Sequence, residues 1–209
     1  MSAADAPLLK AWDDPRLVPV DDPALAFDPD LERARSLLLN WVPPDEEQSR
    51  QRVEILGFLL EHPDALHRTC LAGHLTAAAF LVDASHSAAL LTHHRKLDRW
   101  LQLGGHCDGD GNLAAAALRE GVEESGIEEL RIDPVPIDLD VHPIPARPGE
   151  PEHLHLDVRF LVYAPAGAQP VVSDESHDLA WVAPTELTRY STDASVERLF
   201  RRAFGNTPA

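Results

Sequence analysis

Three carboxylates stand close together in the segment LREGVEESGI, residues 118–127. Glu120, Glu123 and Glu124 fall within five positions, with Arg119 before them and Gly126 after them. Because an α-helix turns about 100° per residue, the three side chains lie on one flank of a helix. Like charges at these spacings repel one another, and acids in the last turn oppose the helix dipole. A hard divalent cation such as Mg²⁺ or Mn²⁺ favours the arrangement, since it takes oxygen ligands.

A solvated acidic face is the simpler interpretation of the same residues. Arg119 lies four residues before Glu123, a spacing at which the two side chains pair across one turn of helix. The opposite flank carries Ala114, Ala117 and Leu118, which follow the spacing of a buried stripe. Helix geometry therefore predicts an amphipathic helix, and it leaves both a metal site and a solvated face open.

The wider segment GGHCDGDGNLAAAALREGVEESGI resembles the Nudix box. In that pattern Gly is followed by five residues, Glu, seven residues, Arg-Glu, an apolar residue, any residue, Glu-Glu, any residue, Gly and an apolar residue. The resemblance covers residues 105–127, and the matching positions are Gly105, Arg119, Glu120, Glu123, Glu124, Gly126 and Ile127. Among these, Gly105, Arg119 and Gly126 take the structural positions of the motif.

Two positions depart from the box. Gly111 stands where the first Glu is expected, and Gly121 stands where an apolar residue is expected. The missing Glu weakens metal binding unless Asp108 or Asp110 offsets it, although aspartates in such a loop are loop formers first. A glycine at 121 lets the helix approach its neighbour closely, at a cost of about 1 kcal/mol relative to Ala.

The resemblance implies a fold and an activity. It extends less sharply from about residue 73 to residue 187, and it implies an α/β (mixed α+β) domain, an α/β/α sandwich around a mixed sheet. It also implies hydrolysis of a diphosphate linked to another group, usually in nucleotides, with Mg²⁺ or Mn²⁺. By the match, Glu120, Glu123 and Glu124 hold the metal, together with the backbone carbonyl of Gly104. The general base is Glu120 or, as second choice, Glu175 in the loop SDESHDLAW.

Substrate phosphates need cationic or hydrogen-bonding partners, and arginine offers bidentate geometry. The candidates are Arg95, Lys96, Arg99, His106, Arg147, His155 and Arg159. The segment HLHLD also places His153, His155 and Asp157 on one face of a strand, because side chains alternate with a period of two. That face allows a zinc site as the alternative to a substrate contact at His155.

The elements that position these residues follow from periodicity and from Gly and Pro. We expect an extended, proline-rich arm over residues 1–30, then amphipathic helices in DLERARSLLLNWV and DEEQSRQRVEILGFLLEHPDAL. The short apolar segments HLTAAAFLVD, SAALLTHH and LDRWLQL after Gly73 predict strands, and Asn112 is placed to cap the box helix, which Gly126 ends. Later we expect a strand combined with a long loop in PVPIDLDVHPIPARPGEPEH and strands in LHLDVRFLVYA and up to Val182, then a closing helix in ASVERLFRRAF. This gives an N-terminal arm and helical extension over 1–67 and a Nudix hydrolase domain over 68–209.

Composition limits the partners. Against 35 acidic residues the chain has 18 basic ones, a formal charge of −17, so nucleic acid is an unfavourable partner and a cation a favourable one. Two cysteines, Cys70 and Cys107, are too few for a disulfide framework and are expected to be buried small hydrophobes in a reducing compartment. The start MSAADAPLLKAWDD lacks a signal-peptide pattern and no stretch approaches a membrane span. We therefore expect a cytoplasmic protein, with dimerisation through the helices as one option.

Three functions remain open from the sequence. The first is a metal-dependent hydrolase that cleaves a nucleoside diphosphate derivative or a related diphosphate. The second is a catalytically weakened Nudix-fold module that senses a nucleotide, suggested by Gly111 and the helical extension. Isomerase chemistry, which the fold also hosts, ranks last because the surroundings of Cys107 do not resemble that enzyme's cysteine segment.

Overall fold

The structure is a computed structural model that describes residues 9–95, 97–172 and 176–205. Its α-helices are α1 (Leu31–Asn40), α2 (Glu46–Glu61), α3 (Leu113–Ser125) and α4 (Ala194–Phe204). Three of them begin at an aspartate, Asp30, Asp45 or Asp193, whose carboxylate accepts a hydrogen bond from a backbone N–H of the first turn. Short 3-10 helices span Pro23–Leu25 and Pro184–Arg189.

The strands of the described residues form one mixed sheet. They are β1 (Val18–Pro19), β2 (Gly73–Val82), β3 (Ala89–His94), β4 (Arg99–Leu101), β5 (Leu103–His106), β6 (Arg131–Ile144), β7 (His153–Tyr163) and β8 (Ser176–Val182). The order across the sheet is β1-β6-β7-β2-β3-β4, while β5 pairs with β2 and β8 pairs with β3. Strands β2 and β7 are parallel and the other pairs are antiparallel. Every residue of β2 is buried, as expected of a central strand covered on both faces.

Helices cover both faces of the sheet. On one face α1, α2 and α3 pack over a core that includes Leu75, Ala77 and Val158. On the other face α4 packs over Phe80 and Leu161 with the neighbouring side chains. This three-layer arrangement confirms the predicted α/β/α sandwich around a mixed sheet. Within the described part of the chain, none of the helices has the length and apolar character needed to cross a membrane.

The two N-terminal helices belong to the same core as the sheet. Ala34, Leu38 and Ile55 are fully buried in it. On α2, Gln48 exchanges two hydrogen bonds with the backbone of Leu139, at 2.6 and 3.0 Å. Helix α2 packs against β6, and α1 packs against α2. The boundary between residues 67 and 68 stays a prediction.

Some elements differ in detail from the sequence expectation. The segment LDRWLQL forms two strands, β4 and β5, with Gln102 between them. Strand β6 runs through three prolines at 134, 136 and 143, and its register against β7 shifts on both sides of Pro136. Proline removes a ladder donor, so such shifts are where a strand accommodates it. The arm is less irregular than expected, since Val18 and Pro19 pair with β6.

Candidate active site

The box helix α3 lies against the central strands. It ends at Gly126, which adopts the left-handed conformation with φ 67°. Gly121 is buried, and a Cβ there would lie 3.1 Å from the Cβ of Ala79 on β2. The departure from the box at 121 therefore has a packing reason, because a larger side chain would push the helix away from the sheet. This close approach brings the carboxylate flank of α3 onto β5.

Two of the three box carboxylates lie against the paired glycines of β5. Glu124 is 9% exposed, and its Oε2 accepts a hydrogen bond from the Gly104 N–H at 3.1 Å. A Cβ at Gly105 would collide with the carboxyl group of Glu120 and displace it from this position. Glu123 is exposed on the same flank. The structure thus brings Gly104, Glu120 and Glu124 together and leaves Glu123 at their edge.

Arg119 connects helix α3 to the end of β5. Its guanidinium donates to the His106 carbonyl at 2.8 Å and to Glu120 Oε1 at 3.0 Å. It also lies 3.9 Å from Glu123 Oε1, so the i,i+4 pair expected from spacing is present as a long contact. Arg119 therefore neutralises part of the charge of the carboxylate flank.

Burial gives Glu120 the electrostatics of a proton acceptor. Desolvation raises its pKa above the ordinary glutamate value, and the neighbouring Arg119 opposes this rise. A half-buried carboxylate beside a second one, Glu124, is a donor set that suits a hard divalent cation. The residues present thus fit the metal that the family pattern implies.

The arm reaches the box loop at the position of the missing Glu. The Gly111 N–H donates to the Asp28 carbonyl at 2.6 Å, and a Cβ at Gly111 would collide with the Asp30 carbonyl. Asp110 is 3% exposed, and its Oδ1 accepts from the backbone N–H groups of Asp28 and Asn112, at 3.1 and 2.9 Å. Backbone of the arm fills the place that a Glu side chain would need.

Asn112 has a different task from the one predicted. It occupies the N-cap position of α3, but its side chain makes no capping hydrogen bond. Its amide instead donates to the carbonyls of Ala24 and Ala26 in the arm, at 3.0 and 3.1 Å. No local sequence signal pointed to this docking, because its partners lie more than eighty positions away.

A cleft lies between the arm and the box helix. It measures roughly 410 Å³. Val20, Leu25 and Phe27 of the arm line one side, and Arg119 and Glu123 line the other. Phe27 is 62% exposed, which leaves an aromatic surface facing solvent beside the charged flank.

The predicted substrate contacts are spread over the molecule. Arg95 donates to the Ser176 carbonyl at 2.8 Å, Arg99 is exposed on β4, and Arg147 lies in the turn that bridges to Glu150. Glu175 and Lys96 lie outside the described residues.

Arg159 has a buried environment. It is 1% exposed and lies within ion-pair distance of three carboxylates, Asp138, Asp140 and Asp157, at 3.3, 3.2 and 2.7 Å. This environment favours a structural role.

His106 and His155 belong to a group of histidines at one end of the sheet. The ring of His74 has its centroid 4.9 Å from the centroids of His106, His153 and His155. Burial lowers the pKa of His106 to about 4 and that of His155 to about 2, so these imidazoles are neutral at neutral pH. Sequence reasoning found His153 and His155 but missed His74, which the parallel register places opposite His155.

Asp157 does not join the histidines. It accepts a hydrogen bond from Thr76 Oγ1 at 3.0 Å and pairs with Arg159. Both cysteines are free and buried, in agreement with their predicted role as small hydrophobes.

Comparison with known proteins identifies the family. A family model of the NUDIX domain matches residues 73–203. A hydrolase of the NUDIX family from Clostridium perfringens has a TM-score of 0.50 and 21% identity over 63% of this chain and 95% of that chain. An Ap4A hydrolase from C. elegans has a TM-score of 0.50 and 19% identity over 61% and 93%. At such identities these two structures show the fold. No curated protein matches the sequence.

Since the model match spans more than half of the chain, the chain belongs to the NUDIX-domain family and is a Nudix-type hydrolase.

Proposed function

We propose that the chain cleaves the diphosphate bond of a nucleoside diphosphate derivative or related compound with the help of Mg²⁺ or Mn²⁺. The observation that carries the proposal is the placement of Glu120 and Glu124 against Gly104 and Gly105, with Glu123 beside the cleft. Carboxylates converge there on a strand whose glycines leave room for them. A solvated acidic face would not need one member buried and another half-buried against the sheet.

Metal would be held by Glu120, Glu123, Glu124 and the Gly104 carbonyl. When bound, it neutralises charge on the phosphate oxygens and lowers the pKa of the attacking water. Arg119 holds Glu120 in position through their 3.0 Å hydrogen bond. The acidic composition of the chain favours this uptake of cations.

Glu120 is the proposed general base. Its burial raises its pKa, which makes the carboxylate a stronger acceptor for the proton of the attacking water. Glu175 remains the second candidate.

The cleft beside Phe27 is the proposed position of the organic part of the substrate. An exposed aromatic ring stacks on a nucleobase, and the charged side of the cleft leads to the carboxylate flank. The proposed phosphate or sugar contacts are still Arg95, Arg99, Arg147 and His106. His155 can contact only a substrate that extends as far as the group of histidines. A dinucleoside polyphosphate belongs in the substrate panel, because the C. elegans neighbour is named an Ap4A hydrolase.

The test is a panel of nucleoside diphosphate derivatives with Mg²⁺ or Mn²⁺, followed by phosphate or nucleotide detection. For the substrate found, Glu124→Gln is expected to lower kcat/KM by at least about 100-fold, since it removes a charge at the reacting phosphates. Glu128→Gln is the matched control, because Glu128 is exposed just beyond the helix. Equal turnover in Glu124→Gln and wild type would refute the assigned chemistry.

The weakened sensor remains the second candidate. It is favoured by Gly111, whose place in the box is taken up by arm backbone rather than by a Glu side chain. For a sensor, binding of the nucleotide raises the Tm of the protein and leaves the nucleotide intact. Mass spectrometry of the ligand after incubation decides between hydrolase and sensor, because a hydrolysis product excludes a protein that only binds the nucleotide.

Compartment and assembly are part of the same proposal. We expect a reducing compartment such as the cytoplasm, consistent with two free, buried cysteines. A homodimer is a further option, for which Val42, Val53 and Leu60 are exposed on or beside α1 and α2. Light scattering of the purified chain measures its mass in solution.

A further inference from the structure

Three histidines from two parallel strands meet at the beginning of β2 and β7. His74 is the second residue of β2 and lies in register with His155, while His153 begins β7. One ring nitrogen from each of His74, His153 and His155 lies within 4.8 Å of the other two. We call these three residues the histidine triad. They lie outside the box carboxylates and no step of the proposed hydrolysis uses them as a group.

Two buried members of the triad have ring nitrogens without a hydrogen-bond partner. His74 is 2% exposed and neither of its ring nitrogens has a partner at normal hydrogen-bond distance, although the backbone of Cys70 interacts with the ring. His153 is 5% exposed, and its Nε2 has none either, although Glu150 Oε1 lies 3.7 Å away. A buried polar nitrogen without a partner costs roughly 1–3 kcal/mol, so native structures seldom leave one. The unpartnered nitrogens therefore point to a ligand that accepts one lone pair from each of these two imidazoles.

The second ring nitrogen of His153 fixes its orientation. Nδ1 lies 2.9 Å from the Pro151 carbonyl, which can only accept, so Nδ1 carries the proton. In the neutral ring, Nε2 is then the nitrogen whose lone pair can ligate a metal. A histidine that donates one N–H to a backbone carbonyl while ligating through the other nitrogen is the usual arrangement at metal sites.

Two further histidines and one carboxylate surround the triad. The rings of His106 and His142 lie beside His155, with centroids 5.4 and 5.6 Å from it. Glu150 Oε1 lies 3.7 Å from His153 Nε2, and its negative charge favours a cation there.

We propose that His74, His153 and His155 bind one borderline divalent cation of the Zn²⁺ type, at a site separate from the box carboxylates. Three imidazoles and a water or a fourth side chain complete the tetrahedral shell that Zn²⁺ and Co²⁺ prefer. Bound metal draws the ligating nitrogens from within 4.8 Å to roughly 3.3 Å of one another, as bond lengths near 2.0–2.1 Å require. The half-buried His155 provides the route of entry.

The histidine triad offers nitrogen ligands and the box carboxylates offer oxygen ligands, so the two sites can be distinguished by their metal preference. Full-length protein is stripped with a chelator, saturated with excess Mg²⁺ and titrated with Co²⁺. Mg²⁺ fills an oxygen-ligand site but competes poorly for imidazoles. We expect about one equivalent of Co²⁺ to bind with the intense visible absorption of four-coordinate Co²⁺, and Zn²⁺ to displace it. Absence of that absorption, or only the weak spectrum of six-coordinate Co²⁺, overturns the proposal.

Variants assign the ligands. His153→Gln and His155→Gln are each expected to weaken Co²⁺ binding by at least about tenfold. His177→Gln is the matched control, because His177 is exposed on β8 away from the triad. Glu124→Gln separates the two sites, since it should retain the four-coordinate spectrum even where hydrolysis is lost. Unchanged Co²⁺ affinity in both histidine variants refutes the assignment.

The folding of each variant is checked separately from its metal binding. Far-UV circular dichroism and the Tm of each metal-free variant are compared with those of the metal-free wild type. Because the side chain of His155 is only partly buried, its glutamine variant is the one expected to fold unchanged. In wild type, Zn²⁺ should raise Tm in proportion to the logarithm of its concentration. A folded His155→Gln protein whose Tm still rises equally with Zn²⁺ contradicts the proposal.

Discussion

Gly111 shows how a single residue couples the box loop to the arm. Its N–H is satisfied by the Asp28 carbonyl, and the Asp30 carbonyl fills the space beside its Cα. Any side chain there must displace arm backbone, which is hydrogen-bonded and cannot give way as a flexible side chain would. The departure from the box pattern is thus linked to a segment outside the box.

Gly111→Ala is therefore expected to destabilise the protein by about 1–3 kcal/mol. The matched control is Gly57→Ala on α2, where an added Cβ meets nothing within 4 Å and alanine favours the helix. Urea unfolding at neutral pH measures both. Equal stabilities for Gly111→Ala and wild type would show that the arm yields at no cost.

The predictability of single residues depended on the distance of their partners along the chain. Helix spacing was enough to place Glu120, Glu123 and Glu124 on one flank, and Gly126 was predicted from its position after the helix. The meeting of Gly111 with Asp28 was not predictable, because contacts across some eighty residues leave no periodicity.

Strand β7 illustrates what alternation decides at the scale of an element. His155, Asp157 and Arg159 lie on one face by the two-residue period. His155 contacts other histidines, and Arg159 contacts carboxylates that include Asp138. Asp138 also forms ion pairs with Arg198 and Arg202 of α4, at 2.8 and 2.7 Å. One face of one strand therefore passes from a histidine cluster to a buried ionic network.

Removing Arg159 tests whether that network is structural. Arg159→Met leaves three carboxylates without their shared cation, so we expect a loss of about 3–5 kcal/mol in the free energy of unfolding. Arg201→Met is the control, because Arg201 has a 54% exposed side chain and only a 3.8 Å pair with Glu197. If Arg159→Met kept wild-type stability and raised KM alone, Arg159 would be a substrate ligand instead.

The elements themselves were largely predictable, with one informative exception. Apolar periodicity located β2, β3, β7, β8, α3 and α4. Strand β6 was harder to bound, because prolines at 134, 136 and 143 normally argue against a continuous strand. Helix α2 stabilises this strand, because Gln48 and Gln51 accept hydrogen bonds from the N–H groups of Leu139 and Val141, at 2.6 and 2.9 Å.

At the scale of the whole molecule, neutral buried histidines link stability to pH. His106 and His155 have folded-state pKa values of about 4 and about 2, below the ordinary histidine value. The unfolded chain therefore binds more protons than the folded one as pH falls below about 6.5. Their contribution is fully present above that pH and is lost progressively as the pH falls towards the folded values.

The double variant His106→Gln, His155→Gln should flatten this dependence. In chelator-treated protein, we expect its free energy of unfolding to fall less steeply than that of wild type between about pH 6.5 and 4.5. The difference in slope is at most about 1.4 kcal/mol per pH unit for each proton. His177→Gln should keep the wild-type slope. Parallel curves for the double variant and wild type would exclude these two histidines as the source.

The pairing of β1 with β6 sets an order of events during synthesis. Val18 and Pro19 leave the ribosome early, but their partners Ile132 and Arg131 follow more than a hundred residues later. Until β6 has emerged, this end of the arm has no strand to pair with, and the loop around Gly111 lacks a fixed neighbour. A nascent chain stalled before β6 should therefore be readily cut by protease near residue 111, well after the box itself has been translated.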